Sequence, residues 1–402
     1  MKRIILLFNI VTTCMVTITH STNTPRGINP FGNKLYEVLP NEQNLVFSPI
    51  SIHAALSLAY QGSTGETAES FRQNLEVPDT NQNAEEYKNF MTKLNEDGDV
   101  TIHLANKIYV QEKYKLKDDF KSTVKNNFFA DGDNIDFSKQ ENAANTMNTW
   151  VKESTGGKID HLIDSQDLND QTRAVLLNAI YFKANWMIEF DSADTRVDKF
   201  FVSDSESFDC EMMHQKDKFG YAENSELDAK ILKMKYKDER YSMVIVLPNS
   251  HNEIKELENE LIHTDISNLT RRRESFCDSD AMTVRTVNVA IPKFRLESNL
   301  NLKQPLTQVG LGTIFENGEF QNIVDTNETL VLTKVVQKAF VEIDEKGSEA
   351  AAATGLIFEG RSLMPSPKKF IADHPFIFYI TVKFEDGVEN ILFMGKVTKP
   401  AI

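Results

Sequence analysis

The chain has 402 residues, of which 41% are hydrophobic and 26% charged, and its formal net charge is −15. This is globular composition with enough apolar residues for a large core. The acidic balance argues against nucleic acid or an anionic membrane as the main partner, since both need a basic face.

Residues 1–21 stand apart. Lys2 and Arg3 precede an uncharged, mostly apolar run from Ile4 to about Ile18, and small or polar residues come next at Thr19, His20 and Ser21. The pattern reads as a secretory signal peptide, too short and wrongly flanked for a membrane span, and predicts a secreted, extracellular protein. No Pro/Gly/Ser-rich linker and no internal repeat divides the remainder of the chain, so 22–402 is read as a single domain.

Ser48-Pro49 opens a helix over 50–60: the serine side chain can accept free amide bonds, proline suits the first turn, and Gln61-Gly62 ends it. Residues 84–94 and 142–153 carry helical spacing, whereas 100–110 alternates at its start like a strand. The run 174–182 (AVLLNAIYF) is almost continuously apolar, as in a strand covered on both faces. YSMVIVLP, VNVAIPKF, FIFYITVKF and ILFMGKV are further β-rich runs. Helices and strands mix without strict alternation, which favours an α+β fold.

Enzyme chemistry finds no support. GSTG at 62–65 is not a nucleophile elbow. The histidines, from His53 to His374, lack a His-Glu-x-x-His pattern and read as surface or satisfied core residues. STGGKI at 154–159 lacks the leading glycine and the Ser/Thr of a phosphate loop. DGDNID at 131–136 places Ile135 where a calcium loop needs an oxygen ligand. Cys14 falls in the signal, and Cys210 with Cys277 make no zinc pattern; whether those two pair as a disulfide is left open. The chain is therefore read as not an enzyme, with no cofactor and no metal. Asn268-Leu-Thr and Asn327-Glu-Thr are glycosylation acceptor sequences. The basic runs at 113–125 and 271–273 lie among or beside acids and read as solvated faces.

The segment EKGSEAAAATGLIFEGRSLMP (345–365) differs from its surroundings. Read as extended chain, Ser348, Ala350, Ala352 and Thr354 share one small, uncharged face, and Glu349, Ala351 and Ala353 share the other with every charge up to Arg361. Read as an alanine-rich helix end, the same residues lead into a solvated loop. Periodicity does not choose between the two. Gly347 supplies a flexible hinge, and alanine and glycine bury too little apolar area to hold a loop down firmly. Arg361 in such a loop is a target for trypsin-like enzymes.

NLVFSPISIHAALSLAYQGSTGET, MNTWVKESTGGKIDHLI, LLNAIYFKANW, VAIPKFRLES, VVQKAFVEIDEKGSEAAAATG, DHPFIFYI and ILFMGKV occur in this order along the mature chain. Together they resemble the signatures of the serpin family. The resemblance implies one domain of three β-sheets and eight or nine helices with an exposed reactive-centre loop. It implies a suicide-substrate inhibitor of a trypsin-like serine protease, held as a covalent acyl complex after the loop inserts into the main sheet. Family spacing from Gly347 places the scissile bond at Arg361–Ser362, where GRSL also resembles the reactive site of antithrombin.

By the same resemblance Glu345, Gly347 and residues 348–354 form the loop hinge. Ser48, Ser51 and Asn178 sit where the sheet parts, and Glu345 pairs with Lys293 beside Trp186. Gln337 stands where many serpins have a histidine and can still donate and accept. A monomer is expected, without nucleic acid or membrane partners. A polyanion cofactor lacks support, because the presumed fourth helix shows only Lys88 and Lys93 among acids. The alternative within the family is a non-inhibitory carrier or storage protein.

Overall fold

The structure, a computed structural model, describes residues 24–40, 42–96, 98–271, 281–326, 328–347 and 366–400. The helices are α1 (Ile28–Val38), α2 (Pro49–Gln61), α3 (Gly65–Asn74), α4 (Thr80–Leu94), α5 (Asp118–Phe128), α6 (Gln140–Ser154), α7 (Ile254–Leu261), α8 (Ile266–Leu269), α9 (Lys303–Leu306) and α10 (Thr313–Glu316). The strands are β1 (Leu45–Phe47), β2 (Val100–Gln111), β3 (Asp131–Ile135), β4 (Ala174–Ala184), β5 (Arg196–Ser203), β6 (Glu206–Asn224) and β7 (Ala229–Lys235). They continue as β8 (Tyr241–Pro248), β9 (Thr283–Pro292), β10 (Phe294–Asn301), β11 (Lys334–Ile343), β12 (Lys368–Ile371), β13 (Phe376–Lys383) and β14 (Glu389–Val397). The segments α9 and α10 flank a kink at Gly310, whose φ of 97° is open to glycine; taken as one bent helix they leave nine among the described residues.

The fold is α+β. One five-stranded sheet runs β10-β11-β4-β2-β3, and a nine-stranded ladder runs β1-β14-β13-β8-β7-β6-β9-β12 with β5 added on β6. The third sheet expected from the sequence is the β5, β9 and β12 end of this ladder. It joins the rest because β6 is one 19-residue strand whose first half pairs β5 and whose last residues pair β7.

The helix beginning at Pro49 forms as its sequence dictates, with the Ser48 side chain accepting the Ser51 amide. β4 is buried along almost its whole length, and its side chains divide by parity. Ala174, Leu176, Ile180 and Phe182 enter the main core beneath the sheet. Val175, Leu177, Ala179 and Tyr181 enter a second core that includes Met147 and Val151 of α6. A strand with period two thus serves two cores at once. Asn178 lies on the parity that faces the main core, where an apolar residue would be the default.

α7 is fastened to β14 by a buried ion pair. Lys396 Nζ lies 2.7 Å from Glu258 Oε1, with side chains only 4% and 8% exposed, and the Tyr36 hydroxyl also donates to Glu258. Lys396→Met leaves that carboxylate buried without a counter-charge and should cost about 3–5 kcal/mol. Replacing both partners by methionine should cost less, and thermal unfolding by calorimetry distinguishes the two outcomes.

Candidate functional site

The centre of the five-stranded sheet is a parallel pair. β4 and β11 are direct neighbours from Val175↔Lys334 to Tyr181↔Phe340. Register places Asn178 opposite Gln337 on one side and opposite Asn106 of β2 on the other. Three amide side chains therefore stand in a row across three strands, all buried. The Gln337 Nε2–H donates to Asn178 Oδ1 at 2.6 Å, and the Asn178 Nδ2–H to Asn106 Oδ1 at 2.5 Å.

The start of α2 caps this row. The Ser48 amide donates to Gln337 Oε1 at 2.9 Å, and Gln337 Nε2–H returns a bond to the Ser48 carbonyl at 3.1 Å. Asn178 donates to the Ser51 carbonyl at 3.1 Å and to the Ser51 hydroxyl. Every bond joins neutral groups, so no charge is buried, and among the row's amide nitrogens Asn106 Nδ2 is buried with no hydrogen-bond partner among the described residues. Parting β4 from β11 breaks the Gln337–Asn178 bond together with the ladder.

The upper end of the seam is built differently. After β11 the chain turns at Asp344 and folds onto the end of β4. The Trp186 amide donates to the Lys346 carbonyl at 2.7 Å, the Phe190 amide to the Glu345 carbonyl at 2.8 Å, and the Trp186 indole N–H to the Asp344 carbonyl at 3.0 Å. Trp186 is buried and stacks on Tyr236 with ring centroids 4.5 Å apart. Glu345 Oε1 accepts from the Thr195 hydroxyl at 2.9 Å and lies 3.4 Å from Lys293 Nζ, which is also 3.5 Å from Glu211.

Burial alone would raise the Glu345 carboxyl; its backbone bond, Thr195 and Lys293 together outweigh burial and hold it below the usual carboxylate range. Burial alone would lower Lys293; Glu345 and Glu211 outweigh it and hold the ammonium above its ordinary value. Asp344 moves the other way from Glu345: burial pushes its carboxyl up, against bonds from the Lys346 and Gly347 amides.

Gly347 occupies a position that no side chain fits. Its φ is 129°, and an added Cβ would stand 2.2 Å from the Ala184 carbonyl oxygen. It forms bridges to Asn185 and to Asp344, and the segment beginning at Ser348 leaves from this point.

A closed parallel seam, a polar row across its middle and a positive-φ glycine at its top form one connected arrangement. The family model for Serpin (serine protease inhibitor) matches residues 26–400. The chain belongs to the serpin family. It is 33% identical to the leukocyte elastase inhibitor of Bos taurus over 89% of this chain and 93% of that protein. It is 32% identical to the antitrypsin of Bombyx mori, covering 98% of this chain and 99% of that one. The crystal structure of Serpin48, a highly specific serpin of the insect Tenebrio molitor, superposes with a TM-score of 0.84 at 35% identity, over 95% of this chain and 100% of that one.

Of the residues singled out in this serpin sequence, Ser48, Ser51, Asn178 and Gln337 come together at mid-seam, and Glu345, Gly347, Lys293 and Trp186 at its top. The hinge residues Ser348, Glu349, Ala350, Ala351, Ala352, Ala353 and Thr354, the Arg361–Ser362 bond, Asn327, Cys277 and the leader lie outside the described residues. Asn268 is exposed on α8. Cys210 is a half-buried thiol without a disulfide partner among the described residues, pushed up to about 11 by burial and the carboxylates of Asp198, Asp209 and Asp373. His53 is a core residue held by Tyr87 and, at 2.8 Å, by the Leu75 carbonyl; burial lowers it to about 4. Asn106 and Thr195 escaped the sequence reading. Asn106 was detectable as the one amide on an otherwise apolar parity of β2, whereas Thr195 carried no local signal.

Asn178→Ala strands Ser51, Asn106 and Gln337 and should destabilise the protein by about 2–4 kcal/mol, read as a lower midpoint in thermal unfolding. Because the folded Glu345 carboxyl is depressed, its contribution is full above the ordinary carboxylate pKa of about 4.3 and is lost as pH falls through the folded value. Trp186 fluorescence should report this loosening in an acid titration, and Glu345→Gln should already show the loosened signal at neutral pH.

Proposed function

We propose that the chain is a secreted suicide-substrate inhibitor of trypsin-like, Arg-specific serine proteases, cleaved at Arg361–Ser362. The observation that carries this reading is the direction of the seam. β4 and β11 run parallel, and the segment from Gly347 leaves from their upper end. A strand fed downward between them would be antiparallel to both. Insertion would exchange one parallel ladder for two antiparallel ones, which pair slightly better per residue.

The serine of the protease attacks the Arg361 carbonyl; an ester forms and the amine of Ser362 departs. The fourteen residue steps from Gly347 to Arg361 span roughly 45 Å at about 3.3 Å per residue, so full insertion carries the acylated end the length of the sheet. Deacylation requires near-ångström placement of catalytic groups, and compression of the protease against the inhibitor would halt it. Insertion must outrun hydrolysis. Small, uncharged residues at Ser348, Ala350, Ala352 and Thr354 favour this, since a charge on that face would have to be desolvated at several kcal/mol. The antitrypsin name of the silkworm relative points to the same class of target. The apolar leader supports secretion.

Incubation with trypsin should give a covalent complex that survives SDS electrophoresis. Ala352→Glu should convert the inhibitor into a substrate, and Arg361→Ala should abolish recognition. Cleavage at Arg361 without complex, and without a gain in thermal stability, would favour a non-inhibitory carrier or storage role.

A further inference from the structure

We propose that His251, Asp373 and His374 form a binding site for a divalent transition-metal ion of the zinc class. Three separate segments meet there: the hairpin tip after β5, the turn after β8, and the link from β12 to β13. Among the described residues the imidazole nitrogens and carboxylate oxygen of these three side chains lie within 4.8 Å of one another. Ligands on four-coordinate zinc, at about 2.0–2.2 Å from the ion, stand about 3.3–3.6 Å apart. Closing the site needs a contraction of about 1 Å, which rotation of the His251 ring, one-third exposed, can supply.

The His374 ring is already oriented for ligation. Its Nε2 lies 2.8 Å from the Pro248 carbonyl, which only accepts, so Nε2 donates there and Nδ1 faces the other way. Asp373 Oδ1 stands 2.8 Å from that Nδ1. The two atoms are at hydrogen-bond distance, and an ion binding beside them would take the place of the proton they share. The bond to Pro248 is also the outer support that metal-ligating histidines ordinarily have.

His251 has its own orienting partner. Asp204 Oδ1 lies 3.5 Å from His251 Nδ1, and Asn252 donates to the other Asp204 oxygen. This leaves His251 Nε2 for the ion. Phe201 stacks on the His251 ring at 4.9 Å, and its amide donates to the Asp373 carbonyl at 2.7 Å. Two imidazoles with one carboxylate suit zinc, copper(II) or nickel(II) and not calcium or magnesium, which prefer all-oxygen sites.

The site's position gives binding a consequence. Asp373 and His374 come two and three residues after β12, which pairs in parallel with β9 along only four residues and follows the expected reactive segment in the chain. An ion there would fasten the exit of this short strand to the turn after β8, on whose His251 ring Phe201 of β5 stacks.

The test is calorimetric titration of Zn²⁺ into chelator-treated protein, with Co²⁺ absorption as a second readout. One ion per chain should bind saturably, with visible bands of a low-coordinate cobalt site. His251→Ala and Asp373→Asn should each weaken binding more than about tenfold and remove the cobalt bands. His374 is left intact because it is buried, and circular dichroism in chelator confirms that the variants fold. Excess zinc should raise the unfolding temperature of the wild type but not of His251→Ala. Absence of saturable binding, or undiminished affinity in both folded variants, overturns the proposal.

Discussion

The parallel contact between β4 and β11 is the constraint on which the rest of this molecule is arranged. Parallel strands normally need cover on both faces, and here each face has its own hydrophobic core. The seam must hold a two-sided layer together, and the proposed loop insertion would require the same seam to divide. A continuous apolar stripe would serve the first requirement by dense packing. The row Asn106, Asn178 and Gln337 instead fastens three strands to one another and to α2 by directional bonds between neutral groups. Such bonds contribute modestly while made and cost much if left unpaired, so the seam tends to be either closed or fully re-paired.

The two levels of the seam obey different electrostatics. The middle holds amides and hydroxyls that do not ionise, so its strength is independent of pH over the physiological range. The top joins a carboxylate to an ammonium beside a stacked tryptophan, and its attraction depends on Glu345 staying charged. The backbone there is restricted by sterics, because the Gly347 position touches the carbonyl of Ala184. Departure of the loop is therefore fixed in place by chain geometry, whereas adhesion of its base responds to charge.

Legibility in the sequence varied with how local each feature is. The helix after Ser48, the doubly covered β4 and the strands β8, β13 and β14 were readable because capping and unbroken apolar runs act over a few residues. β6 was not. Its buried or half-buried side chains fall on Phe208, Cys210 and Met212 and then change parity at Met213, continuing with Phe219 and Tyr221. A period-two signal that switches phase midway, among many charges, reads as no period at all. The same long strand merges what the family resemblance implied as a separate sheet into one ladder.

The residues alone settle which runs must be buried, where α2 begins, and that an arginine stands beyond a segment rich in alanine. They also suffice to place the chain among the serpins, because many ordered motifs leave few alternatives. Which polar groups meet was decided only by tertiary packing. Thr195 reaches Glu345, Asn106 lines up with Asn178 and Gln337, and His251 comes beside His374 through strand register and loop closure. Those contacts join residues far apart in the chain, and a local pattern of period two or 3.6 carries no information about which distant strand will become a neighbour.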